Sequence, residues 1–158
     1  PNRGELLRHT FQARWLTVAT IDTGCIRGDL EELAWMIART LTGPCSEAHP
    51  RMSLDATQHP EMLDFLRPYS EATIRHGRAI VRRAIARGEI TPAVNPGLMM
   101  DLVVGAVTNH VRTTPERLRG AMVAKMQDFI SELVEAVLRG VRATETTENY
   151  KKSGGLSA

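Results

Sequence analysis

Apolar residues recur along this chain at helical spacing and not in the alternation of a strand. Leu7, Phe11, Trp15 and Val18 stand four, four and three apart and predict a helix over 3–19 that begins abruptly, as though cut from something longer. Asp22, Gly24 and Gly28 predict a loop over 20–28. Asp29, with Glu32 three residues on, reads as an N-cap in a capping-box-like start. Leu30, Leu33, Ala34, Ile37, Ala38 and Leu41 then give one apolar face, which Gly43-Pro44 ends. Pro44, Pro50 and Pro60 limit residues 44–60 to a short helix over 51–57. Pro60 suits the first turn of another helix with Met62, Leu63, Phe65 and Leu66, and Pro68 kinks or restarts it. The stripe resumes with Tyr69, Thr73, Gly77, Ile80, Ala84 and Ile85 until Arg87-Gly88 supplies a stop.

Asn95-Pro96 and Thr114-Pro115 each pair an N-cap with a first-turn proline. The first leads Leu98, Met99, Leu102, Val103, Ala106 and Val107. The second leads a run to 142 with Leu118, Met122, Met126, Phe129, Ile130, Leu133, Val137 and Val141. At 1.5 Å per residue that last helix is about 40 Å long. It carries more apolar surface than one small domain covers, so a homodimer is expected through 95–110 and 114–142. The expected interface holds Leu102, Ala106, Leu118, Met122, Met126, Phe129, Ile130, Leu133 and Val137. Residues 1–143 form the expected domain and 144–158, rich in Thr, Glu, Lys, Ser and Gly, a frayed tail.

Composition agrees with a single all-α domain: 158 residues, 42% apolar but only 4% aromatic, with β-branched residues scattered singly. Twenty basic against 18 acidic residues leave a formal charge of +2 with no basic stripe, so this segment shows no nucleic-acid footprint. The densest basic group, Arg75, Arg78, Arg82, Arg83 and Arg87, falls on the outer face and last turn of one predicted helix and reads as solvated. No apolar run approaches the ~18 residues of a membrane span, and Pro1-Asn2-Arg3-Gly4-Glu5 does not resemble a signal peptide. A cytoplasmic protein with no membrane partner is expected. Cys25 and Cys45 lie apart without a CxxC or a histidine cluster, which argues against a disulfide or zinc site.

His9, His49, His59, His76 and His110 form neither HxxxH nor HExxH, and neither cysteine has a local base. No catalytic residue, metal or cofactor is therefore expected, and the chain reads as non-enzymatic. A pocket for a small apolar or aromatic ligand is placed on the inward stripes of several helices. Phe11 and Trp15 come from the first stripe, Trp35 from the second, Met62, Phe65, Leu66, Tyr69 and His76 from the next. Met99 and Val103 follow, with His110 at the edge. For the aromatics plain core is an equal reading, and for both histidines a partner carbonyl or solvent.

Several landmarks resemble, in order and spacing, the regulatory domain of the TetR family of transcriptional regulators. They are Asp22-Thr23-Gly24 with Arg27-Gly28-Asp29-Leu30, Arg87-Gly88-Glu89-Ile90 ahead of Asn95-Pro96, Asp101-Leu102-Val103-Val104-Gly105, and Val137-Leu138-Arg139-Gly140-Val141. The opening Pro1 to Leu7 is similar to the stretch after the family's DNA-recognition helix, so the helix-turn-helix is expected to be missing from this chain. Asn109-His110 and Thr113-Thr114 depart from the aromatic, arginine-containing helix end of the nearest relatives, which leaves the ligand class open. The resemblance implies a dimer built as a four-helix bundle from the last two long helices, with earlier helices enclosing an effector. It also implies that the effector shifts the helix over 3–19, and that operator DNA is reached only through the missing N-terminal domain. A constitutive dimerisation module with a filled interior is the alternative.

Overall fold

The computed structural model describes residues 21–44, 46 and 60–142, without the side chains of 60–63, 65, 66, 69 and 142. Three expectations lie outside the described residues: the helix over 3–19 with Phe11 and Trp15, the short helix over 51–57, and the tail. The described residues form helices and turns and no strand. In order these are α1 (Ile26–Thr42), α2 (Pro60–Ala86), α3 (Pro96–Thr113), a 3-10 turn (Glu116–Leu118), α4 (Arg119–Ala124) and α5 (Met126–Arg142).

α1 lies at the centre, packing most extensively on α3, then on α5 and α2. Its buried face of Ile26, Leu30, Leu33, Ala34 and Ala38 follows the expected stripe. Its start does not. The N-cap is Cys25, whose Sγ accepts from the Gly28 amide at 3.5 Å. Asp29, expected as the cap, sits one turn further in and is fully buried.

α2 runs through Pro68 without ending, because a proline costs one main-chain hydrogen bond and the helix has 27 residues over which to absorb it. Gly88 closes it at φ 75°, a left-handed conformation that glycine adopts without a Cβ clash. The Glu89 amide donates to the Ala84 carbonyl and the Gly88 amide to Ile85, both at 3.0 Å, which makes a Schellman ending.

α3 starts as expected, with Asn95 Oδ1 accepting from the Gly97 and Leu98 amides and Pro96 in the first turn. The final segment differs from the expected continuous helix. It opens with the 3-10 turn and breaks at Lys125 (φ -102°, ψ 9°), whose amide is shared between the Ala121 and Met122 carbonyls. No breaker residue stands at 125. Met122 and Met126 on either side are both buried, so the break follows where those side chains pack.

The core joins the stripe of α1 to Ile80, Val81 and Ala84 of α2, to Met99, Met100, Val103, Val107 and Val111 of α3, and to Met126, Ile130, Val134, Val137 and Leu138 of α5. Ile130 has no exposed surface within its own chain. Replacing Ile130 by Ala therefore removes core volume and should lower the unfolding free energy by about 2–5 kcal/mol. Urea denaturation should show the same loss at low and high protein concentration.

Candidate functional site

The polar residues of the landmarks at 22–24, 27–30 and 87–90 meet in space. Asp29 faces inward because it falls at helical spacing between Ile26 and Leu33, and it is 0% exposed. Burying a carboxylate is costly unless donors replace its water. Oδ1 accepts from the Thr23 amide at 2.6 Å and from the Thr23 hydroxyl at 2.8 Å, and Oδ2 from Arg87 Nη2 at 3.3 Å. The close approach of Thr23 needs a glycine at 28, where a Cβ would come within 2.4 Å of the Thr23 hydroxyl oxygen.

Three further contacts extend this knot. The Ile26 amide, an unpaired donor of the first turn of α1, donates to Glu89 Oε2, which the Gly88 turn brings there. Arg87 Nε also donates to Glu89, and Arg83 Nη2 to the Ile21 carbonyl. Asp22 is 3.7 Å from each of Arg83, in the last turn of α2, and Arg87, just past its end. The expectation that these two arginines belong to a solvated face is thus corrected: their side chains fold back on acidic partners and are only 32% and 28% exposed. Arg75 and Arg78 remain exposed on α2.

Partial burial pushes the Glu89 carboxyl up, but the hydrogen bonds from the Ile26 amide and from Arg87 outweigh it and hold the group below the ordinary glutamate range. A second network joins α1 to α5: Arg27 donates to Glu135, which also accepts from Arg139 at 2.7 Å. Those bonds, Arg27 first, hold Glu135 low as well.

The residues expected to line a pocket are placed separately. Phe11 and Trp15, and the side chains of Met62, Phe65, Leu66 and Tyr69, lie outside the described residues. His76 is exposed on α2. Trp35 is half-buried, donating from Nε1 to Gln127 Oε1 at 3.0 Å with the Arg39 guanidinium 5.5 Å from its ring. His110 stacks on Phe129 with ring centroids 3.9 Å apart and planes 9° off parallel. Gln127 and Phe129 point about 160° apart around α5, so Trp35 and His110 pack on opposite flanks of it. Met99 and Val103 are buried in the core at 2% and 0% exposure.

The residues expected at a dimer face divide in two. Met122, Met126, Ile130 and Val137 are covered by their own chain, so they are core and have no area left to give a partner. Phe129 and Leu133 are half-buried, Ala106 is intermediate, and Leu102 and Leu118 are exposed. Leu98 joins the exposed set at 59%, a position read from the sequence as plain stripe. Gly77 and Met100 meet across α2 and α3, and Arg78 lies by Gly97, so the two helices run antiparallel there. That register puts Ile74 beside Val104, both apolar and both exposed.

Among the described residues no three or more His, Cys, Asp or Glu side chains gather as a metal site. No helix among them is long and apolar enough to cross a membrane. Residues 20–137 match the family described as Tetracyclin repressor-like, C-terminal domain, and the chain belongs to that family of transcription-regulator domains. No curated protein and no solved structure matches it.

Two outcomes follow from the knot. Thr23→Val deletes one donor to a buried carboxylate and should cost about 1–3 kcal/mol in denaturant unfolding. Because Glu89 and Glu135 are held low in the fold, their stabilisation is present above the ordinary glutamate range and is lost as pH falls through their folded values. A melting-temperature profile from neutral to acid pH should decline at its acid end, and Glu89→Gln should flatten that decline while lowering the neutral plateau.

Proposed function

We propose that this chain supplies homodimerisation and effector binding to a ligand-responsive, cytoplasmic TetR-type regulator, with operator DNA read by an N-terminal helix-turn-helix. The observation that carries the reading is the double face of α3. Its inward stripe is spent on the core, while Leu98 and Leu102 on the opposite side are 59% and 49% exposed. At 100° per residue they share that side with Gly105 and Asn109. A partner helix can approach Gly105 closely, since no atom lies near where its Cβ would be.

The interface is accordingly assigned to Leu98, Leu102 and Ala106 of α3 with Phe129 and Leu133 of α5, and Leu118 at its end. Two helices from each of two copies make the four-helix bundle. The effector site is assigned to the stripe of α2, with Met62, Phe65, Leu66 and Tyr69 beside Phe11 and Trp15. The exposed pair Ile74 and Val104 supports this, continuing the apolar surface of α2 and α3 where no described residue covers it. Apolar burial at about 25 cal/mol per Å2 would supply most of the affinity, and the Tyr69 hydroxyl would orient the ligand.

Sedimentation at micromolar concentration should show a dimer, and Leu102→Glu should yield a folded monomer with unchanged helical circular dichroism. A wild-type chain that sediments only as monomer overturns the interface. A thermal-shift screen of apolar and aromatic small molecules should find stabilisers whose effect grows with the logarithm of concentration. Tyr69→Phe and Ile74→Asp should weaken the best of them. Hits indifferent to both substitutions, with a dimer intact, would leave the constitutive dimerisation module as the function.

A further inference from the structure

The knot grips main chain as well as side chains. Arg83 holds the Ile21 carbonyl, Asp29 the Thr23 amide and Glu89 the Ile26 amide, each across at least one element boundary. Asp22 is held twice, by Arg83 in the last turn of α2 and by Arg87 just past its end. α2, in contrast, has its buried apolar residues Ile80, Val81 and Ala84 only near its C-terminal end. Among the described side chains of residues 70–79 none is buried. The described part of α2 is therefore anchored in the core next to the knot, while residues 70–79 meet α3 through the Gly77–Met100 contact.

We propose that the knot is a mechanical coupler that makes the main chain at Ile21–Thr23 move as one body with the last turns of α2, so that tilting α2 against α3 displaces Ile21. Its two halves differ in strength. Asp29 is fully buried and keeps two donors from Thr23 even when Arg87 leaves, so this half is the more strongly held. The Arg83 and Arg87 contacts to Ile21 and Asp22 are partly solvated, and these exchange without unfolding the core. Arg83 Nε is buried with no hydrogen-bond partner of its own, 3.7 Å from Asp22, so a small rotation of α2 lets it donate there directly. The coupling goes beyond the effector reading and does not require it, since any force on α2 serves.

Gly77 provides that force without a ligand. A Cβ there meets Met100 Sδ at 2.9 Å and Cγ at 3.5 Å, so the branched side chain of Gly77→Val crowds Met100 and loads the α2–α3 contact. The measurement is the displacement of the Thr23, Gly24 and Ile26 amide signals in nitrogen-edited spectra of the 158-residue chain. Gly77→Val should shift them in the wild-type background, and the shift should collapse when Asp22→Ala and Arg83→Met are combined with it. It should persist in an Arg27→Ala background, where the α1–α5 ion pair is broken instead. Equal shifts in all backgrounds, or movement at Met100 with none at 23–26, would overturn the coupler. Gly77→Ala presents the same Cβ and carries the comparison if the valine variant does not fold. No effector is added, so failure here leaves the effector reading standing, and an empty ligand screen leaves the coupler standing.

Discussion

The fold depends on one demand, that the carboxylate of Asp29 be supplied with donors while it is fully out of water. An apolar stripe such as Leu30, Leu33 and Ala34 tolerates small sliding, because dispersion attraction given up at one atom is regained at the next. A buried charge does not. Its three donors come from two chain segments, Thr23 ahead of α1 and Arg87 at the end of α2, so α1, α2 and the loop must be in register at once. The glycines follow from the same demand: Gly28 leaves room for the Thr23 hydroxyl, and Gly88 turns the chain so that Glu89 reaches the first turn of α1.

α3 answers a different demand. It is the principal packing partner of α1 and also touches α2 and α5, so its Met99, Val103 and Val107 side is consumed by the core. A globular domain of this size would be expected to make the other side polar. Leucine at 98 and 102 does the opposite, next to an open glycine at 105. Exposed apolar residues in line on a long helix mark a surface awaiting another. The proposed homodimer would cover this surface with a second copy of the same helices.

Helical spacing alone disclosed α1, the C-terminal part of α2, and α3 with its Asn95 cap, because amphipathic period and capping are local properties. It could not tell which of two apolar sides of a helix faces in. Leu98 read as plain stripe alongside Met99 and Val103, and Ile130 read as interface when it is core, since sidedness is settled by tertiary packing. The break at Lys125 was invisible for the same reason. The knot leaves a sharper trace in the chain. Asp29 occupies an inward position between Ile26 and Leu33, and a carboxylate at a core position demands a cation elsewhere. Arg87 supplies it, although spacing alone read Asp29 as an N-cap and Arg87 as part of a solvated face. The pocket stayed the least legible part: Trp35 and His110 satisfy every spacing rule, yet they pack on opposite sides of α5.

Magnitudes decide which part of this structure a regulator can move. Effectors typically shift an equilibrium by about 1–3 kcal/mol. Separating α3 from α1 would uncover several fully buried side chains at once, each worth about 1.5–3 kcal/mol, and lies beyond that reach. Exchanging one partly solvated arginine contact costs about 1 kcal/mol or less. Arg83 and Arg87 with Asp22 are therefore the contacts that a ligand of ordinary affinity difference can rearrange. The fully buried Asp29, with its two bonds from Thr23, keeps the loop attached while they do. A ligand on α2 would act on those arginines through a helix that runs from Pro60 to Ala86 without ending at Pro68. The softness of the outer contacts and the rigidity of Asp29 are thus complementary: the first permits motion, and the second ensures that it is carried to Ile21 and not dissipated in a frayed loop.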